Sequence, residues 1–220
     1  MDLNLYSLVP AQCLPLYRYD KSGNRLENIT NWGLTQFRTH YADDTISRSD
    51  IFNYVYGVLH DPAYRKKYEL NLRREFPRIP FYEDFARWAA SGEALLKLHL
   101  DFETVEPYPL RRVDVPNVAV PKAKLKADKA VGEIVLDSQT TLSGVPAAAW
   151  DYKLGNRSAL EWVLERYKER TPRDKTVAER FNSYRFANYK EEVVTLLGRV
   201  CAVSVATVEV IGEMVGAGSE

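Results

Sequence analysis

The run from Ser47 to Pro80 constrains this chain's folding more than any other stretch. Ser47 and Asp50 have the spacing of a capping box, in which a hydroxyl and a carboxylate satisfy free backbone N–H groups at a helix start. Ile51, Phe52, Val55, Val58 and Leu59 then fall on one helical face, the side expected to be buried. Asp61 and Pro62 restart the chain, Asp as N-cap and Pro at the first helical position, where its missing donor costs nothing. Tyr64, Tyr68 and Leu72 continue an i, i+4, i+8 stripe, and Pro77 and Pro80 end it. The spacing predicts two helices joined at a sharp corner.

Before this hairpin the chain has a strand character. Leu3, Leu5 and Ser7, then Leu14, Leu16 and Tyr17 to Tyr19, precede a polar turn at Asp20 to Asn24. A short helix is expected from about Thr30 to Tyr41, with Trp32, Leu34 and Phe37 as its apolar residues. After the hairpin a longer helix runs from about Tyr82 to His99, with Gly92 as a weak point inside it. Pro107, Pro109, Pro116 and Pro121 then make helix continuation unfavourable. From Lys122 to Ala127 lysine and apolar residues alternate, the period of a half-buried strand. Asp128 to Gly132 can turn, Glu133 to Asp137 can pair back, and Thr140 to Leu142 supply a third short strand.

The remainder reads as helical. Ser158 with Glu161 forms a second capping box ahead of the stripe Leu160, Val163, Leu164 and Tyr167. Thr176 with Glu179 and Asn188 with Glu191 repeat the cap spacing, and Ser204 is placed to cap a last helix through Val208, Ile211 and Met214. The fold class expected is α+β, with N- and C-terminal helical segments around a small antiparallel β-sheet. One domain over 1–220 is expected: a helical part at about 27–100, a Pro-rich connection at 101–121, a sheet at 122–143 and a helical part at 147–215.

Composition narrows the function. Lys and Arg number 30 and Asp and Glu 30, so the formal net charge is zero. That weighs against a generic, charge-driven nucleic-acid binder but leaves room for a local basic face. Cys13 and Cys201 lack metal-ligand spacing and fit a reducing cytoplasm. No basic-then-apolar leader follows Met1, and the apolar run from Val193 to Val215 contains Arg199, Glu209 and Glu213, which argues against a membrane span. There is no Gly-rich phosphate loop, no Gly-rich turn after a strand for a nucleoside cofactor, and no acidic pair with a Glu-x-Lys arrangement. His40, His60 and His99 are isolated in sequence. No catalytic residue, cofactor or metal is therefore expected. Asp61-Pro62-Ala63-Tyr64 superficially matches the acidic-Pro-Pro-aromatic loop of adenine methyltransferases. It lacks the second Pro and the preceding strand, and reads as a helix cap.

Several long segments also carry a resemblance. YVYGVLHDPAYRKKYELNLRREFPRIP resembles the signature of the C-terminal specificity region of type ISP restriction–modification enzymes and related helicase-like proteins. LPLYRYD at 14–20, ENITNWGLTQF at 27–37, LKLHLDFETVEPYPL at 96–110, LKADK at 125–129, GVPAAAWDYKLGNRSALEW at 144–162 and FNSYRFANYKE at 181–191 continue it in order. The resemblance covers nearly the whole chain. It implies a bacterial, cytoplasmic phage-defence module that recognises a target in double-stranded DNA, without catalysis of its own. Methyltransferase, helicase and nuclease domains of a parent polypeptide are the implied partners. The alternative is a docking or scaffolding domain of the same enzyme that never reads bases.

Three groups are candidates for DNA contact. Arg65, Lys66, Lys67, Arg73, Arg74 and Arg78 follow the helical corner, either as phosphate contacts or as a solvated face with pairs such as Arg65 with Glu69. Lys122, Lys124, Lys126 and Lys129 form a ladder that suits either the DNA backbone or protection of an edge strand. The third group is Trp150, Tyr152, Lys153, Asn156 and Arg157 with Asn182, Tyr184, Arg185 and Asn188. It mixes Arg and Asn, which pair bidentately with guanine and adenine, with aromatics that stack or wedge. Structural roles compete at each position: Asn156 as a turn residue, Asn188 as a helix cap, the tyrosines as core.

Overall fold

A computed structural model of the chain describes residues 14–115, 120–170, 176 and 184–216. The expected strand at Leu3 to Ser7, Pro116, Glu179 of the cap pair Thr176–Glu179, and Asn182 lie outside the described residues. The chain divides into two compact units, Met1–Glu93 and Ala94–Glu220.

The first unit opens with β1 (Tyr17–Tyr19) and β2 (Arg25–Glu27), paired antiparallel. Asp20 closes the turn between them, its carboxylate accepting from the N–H groups of Ser22 and Asn24 at 2.8 and 2.9 Å. Helix α1 (Asn31–Tyr41) starts on Thr30, whose hydroxyl accepts from Gly33 N, and it buries no residue completely; Trp32 is exposed. Helix α2 (Arg48–His60) begins with the expected Ser47–Asp50 capping box. Its buried face is Ile51, Tyr54, Gly57 and Val58, with Phe52, Val55 and Leu59 only partly covered. That face is rotated from the one the apolar residues alone define, because Tyr54 buries its ring and still satisfies its hydroxyl. Asp61 caps α3 (Pro62–Lys67), and a bend at Tyr68 separates it from α4 (Glu69–Leu72), so the second arm of the hairpin is two short helices. The methyltransferase-like reading of Asp61-Pro62 is excluded by this cap.

Tyrosine hydroxyls explain why the hairpin and the Pro77–Pro80 stretch belong to one motif. The Tyr54 hydroxyl donates to Pro80 O and accepts from Tyr82 N, both at 2.7 Å. Tyr64 donates to Arg78 O at 2.9 Å, and Tyr41 donates to Tyr82 O at 2.7 Å. Asp61 accepts from Ala63 N through one carboxylate oxygen and from the Tyr82 hydroxyl through the other. An extended segment with no ladder of its own thus has its backbone groups satisfied by side chains. Phe37, Tyr41, Tyr54, Phe81 and Phe85 pack edge-to-face and stacked beside it.

Helix α5 (Phe85–Leu100) contains the boundary between the units. In the second unit, β3 (Arg111–Asp114), β4 (Ala123–Asp128), β5 (Glu133–Asp137) and β6 (Thr140–Ser143) form an antiparallel sheet of order β3-β6-β5-β4. Strands β4, β5 and β6 match the sequence reading. Strand β3 was hidden in the Pro-rich connection, since all four of its residues are exposed and show no alternation. A short helix α6 (Ala148–Asp151) leads into the hairpin β7 (Lys153–Leu154) and β8 (Arg157–Ser158), then α7 (Ala159–Arg166), capped by the Ser158–Glu161 box. A 3-10 turn at Phe186–Asn188 precedes α8 (Lys190–Gly216). Asn188 lies in that turn rather than at the helix cap. Ser204 does not start a new helix either: its hydroxyl donates back to Val200 O at 2.6 Å inside one continuous α8, a bond that lets serine sit mid-helix.

Leu125, Ile134, Leu136, Leu142, Trp150, Leu160, Leu164, Phe186, Val193 and Leu197 make the core of this unit, so α7 and α8 pack on the sheet. By length and composition α8 is long and apolar enough to cross a membrane; here Val193, Leu197 and Cys201 face that core. At the C-terminal end of β5, an inner strand, Lys190 pairs with buried Asp137 at 2.8 Å. Burial alone would raise the Asp137 pKa, but Lys190 and the N–H groups of Gln139 and Thr140 hold it below the usual range.

Candidate functional site

Helix α7 brings the sequence-distant candidates of the second unit together. On one side lies β4, an edge strand, as its run of lysines suggested. Ala123 pairs with Asp137 and Lys126 with Val135, so Lys124 and Leu125 face the single residue Leu136: a β-bulge. Leu125 takes a left-handed φ of 46° at this bulge while its side chain is buried. Lys122, Lys124 and Lys126 are exposed along the edge. Lys129, just past the strand, bridges to Glu161 at 2.9 Å and lies 5.9 Å from the centre of the Trp150 ring. Burial pushes the Glu161 pKa up, yet Lys129 and the N–H and hydroxyl of Ser158 outweigh it and hold the carboxyl at about 2.

The β7–β8 hairpin lies against the same helix. Its register pairs Leu154 with Arg157, leaving a two-residue loop of Gly155 and Asn156. Gly155 has φ 73°, the positive value that a tight hairpin turn requires at its first position and that glycine adopts without steric cost. Asn156 is exposed at this tip, and Lys153 is exposed at the base of the hairpin, opposite Ser158. Trp162 fixes the hairpin by donating its indole N–H to Leu154 O at 2.7 Å. Arg157 lies 5.2 Å from the Trp162 ring centre and 3.4 Å from Glu165. Glu165 also pairs with Lys168 at 2.8 Å and Arg170 at 2.6 Å; these cations, Lys168 foremost, hold its pKa below the usual carboxylate range. Between β4 and α7 is a cleft of about 290 Å³, into which Lys126, Arg157, Glu165 and Lys168 project.

Toward the end of α7, the Tyr184 hydroxyl donates to Tyr167 O at 2.8 Å and its ring stacks on Tyr189. Glu169 accepts from Phe186 N, and Arg185 is exposed, with its guanidinium donating to Tyr184 O. Tyr152 stacks on His99 instead, with ring centres 5.4 Å apart. In the first unit, Arg65, Lys66, Lys67, Arg73, Arg74 and Arg78 are exposed. The pairs formed there are Arg73–Glu69 at 2.6 Å and Arg78–Glu75 at 3.9 Å, not Arg65–Glu69. Among the described residues no cluster of His, Cys, Asp and Glu could hold a metal ion.

A family model for the type ISP C-terminal specificity domain matches residues 1–196. The chain belongs to that family. Among solved structures, a DrdV–DNA complex is 60% identical over 91% of this chain, with a TM-score of 0.86. A nuclease-deletion mutant of the type ISP restriction–modification enzyme LlaGI, in complex with a DNA substrate mimic, is 28% identical over 91%, with a TM-score of 0.65. The ATP-dependent type ISP enzyme LlaBIII, bound to DNA, is 25% identical over 90%, with a TM-score of 0.68. The chain spans only 21%, 17% and 13% of those three chains. A comparison with curated proteins finds no match.

Within this specificity domain, the sequence marks Lys126, Asn156 and Arg157 as candidates, and the structure sets Trp162, Glu165 and Lys168, which the sequence reading did not mark, beside them. A signal was present. Trp162 and Glu165 lie off the Leu160–Leu164 stripe of α7, and a tryptophan on the polar side of an amphipathic helix asks for a partner.

Proposed function

We propose that this chain is the DNA target-recognition module of a larger type ISP-like restriction–modification polypeptide and positions catalysis supplied by methyltransferase, helicase and nuclease domains elsewhere. The observation that carries this reading is that three DNA-bound structures match nine-tenths of the chain, one of them at 60% identity. The module would act in the cytoplasm, with no membrane and no cofactor of its own. It would neither methylate nor cleave DNA, nor hydrolyse ATP.

The geometry supports a division of labour. Asn156, at a hairpin tip braced by Trp162, Lys153 in the first strand of that hairpin, and Arg185 with Tyr184 would read base edges, where directional donors and acceptors carry sequence information. Lys122, Lys124 and Lys126 on the β4 edge suit the phosphate backbone, which needs only positive charge. Lys129 and Tyr152 are already engaged by Glu161 and His99, which suits them to hold the surface rather than to contact bases.

The test is selection of bound duplexes from a randomised pool, followed by equilibrium affinities for the recovered site and for random DNA. A recovered consensus bound at least about a thousandfold more tightly than random duplex is the expected outcome. A pool without a consensus would instead favour the docking reading. That reading has one specific support: a cleft of about 780 Å³ in the second unit, lined by Phe102, Val163, Leu196 and Val200 and suited to an apolar partner segment.

A further inference from the structure

Glu165 faces more cations than one carboxylate can neutralise. Arg157 and Lys168 lie within 3.4 Å of it, and Lys126 lines the same cleft from the opposite wall. The other carboxylate there, Glu161, is committed to Lys129 and to the Ser158 cap. In a chain of zero net charge this is a local excess of positive charge, and like charges held together on a partly enclosed wall favour a second anion. The floor is apolar, built by Leu125 and Leu164, and the cleft has room for several waters and so for a tetrahedral group. Arg157 is already oriented by the Trp162 ring, which lowers the cost of committing its donors.

We propose that this cleft binds one phosphate of the DNA backbone, with Lys126, Arg157 and Lys168 as its ligands and Glu165 as the residue that holds the cations in position. The assignment rests on the DNA-recognition reading and adds Lys168, a residue no sequence signal marked. It also gives the β4 bulge a purpose: Leu125 turns inward as the floor, Lys126 lines the cleft and Lys124 stays exposed on the edge, so that a strand seated there continues along the lysine edge.

The experiment measures duplex affinity of the full chain against salt for wild type, Lys126→Gln, Lys168→Gln and Arg170→Gln. Arg170 pairs with Glu165 but does not line the cleft, and so serves as the control. Each cleft variant is expected to lower the slope of log K against log salt by about one and to weaken selected and random duplexes by the same factor. Arg170→Gln is expected to leave the slope unchanged. Equal slopes for Lys168→Gln and Arg170→Gln, or no change in either cleft variant, overturn the site. A second arm follows the Arg157 Nε–H resonance during titration with inorganic phosphate, where a saturable shift is expected in wild type and its loss in Lys168→Gln. If phosphate gives that shift and no duplex binds, the cleft takes free phosphate and the DNA reading fails. If neither binds, the site itself is wrong.

Discussion

Gly57 and Gly92 meet backbone to backbone where α2 crosses α5. A Cβ on Gly92 would lie 1.8 Å from Asn53 O and 2.9 Å from Gly57 N, and one on Gly57 would lie 2.7 Å from Trp88 O. These are backbone atoms, so no side chain can move aside. The apparent weak point in the helix is the residue that lets the two helices touch.

Gly92→Ala should therefore destabilise the first unit, although alanine is the better helix former by about 1 kcal/mol. Separating two packed helices costs more than that, in the range of about 1–3 kcal/mol or above for overpacked sites. Urea unfolding of the full chain checks this. A gain in stability would mean that the helices part without loss.

A second prediction concerns the carboxylate that joins the hairpin to the segment after it. Asp61→Ala removes the cap on α3 and leaves the Tyr82 hydroxyl without its acceptor. A lost N-cap costs about 1 kcal/mol and an unsatisfied partly buried hydroxyl about 1–3 kcal/mol, so about 2–4 kcal/mol is expected. Tyr82→Phe removes only the second contact and should cost about 1 kcal/mol. The ordering of the two unfolding midpoints is the readout.

What the sequence disclosed and what it hid have separate physical causes. Caps at Ser47, Asp61 and Ser158 involve groups two or three residues apart, so spacing alone reveals them. Alternation revealed β4 because one face of that edge strand is buried. Strand β3 has neither local signal: Arg111 to Asp114 are exposed, and only pairing with β6, about 30 residues away, makes them a strand. The break between α3 and α4 at Tyr68 and the unbroken run of α8 through Ser204 follow from packing and from a hydroxyl's choice of partner. Composition encodes neither. Among the candidate site residues, Asn156 and Arg157 stood out as side chains able to pair bidentately with bases, set among aromatics. Lys168 and Glu165 meet Lys126 across one cleft only when α7 folds over β4.

Acid should weaken the α7 start in a defined window. The Glu161 carboxyl falls from 4.5 to about 2 on folding, so the ionised form is the one the fold favours. Its contribution is complete above about pH 4.5 and fades as the pH drops toward 2. Glu161→Gln should cost about 1 kcal/mol at pH 7, since half of the capping box and the bridge to Lys129 are lost. The gap between wild type and variant in urea midpoint should narrow through pH 4 and close near pH 2. A gap independent of pH would assign the loss to packing rather than to charge.

The last prediction separates base readers from backbone holders. Asn156 stands at the tip of a hairpin whose position is set by the bond from Trp162 to Leu154 O. If its amide pairs with a base edge, Asn156→Ala should cost about 1–3 kcal/mol on the selected site and relax discrimination at one or two positions, with random duplex unaffected. Trp162→Phe keeps a ring against Arg157 and loses only the bond to Leu154 O, so it should relax the same positions by a smaller amount. Lys124→Gln should weaken every duplex alike and lower the salt slope by about one. Affinities for the selected site, its single-substitution variants and random duplex, at two salt concentrations, decide the matter for variants whose unfolding midpoints match wild type. Should Asn156→Ala and Lys124→Gln change all duplexes by one common factor, the hairpin is a backbone contact. Base reading would then pass to Arg185 at the other end of α7, where Arg185→Ala should show the position-specific loss that Asn156→Ala lacked.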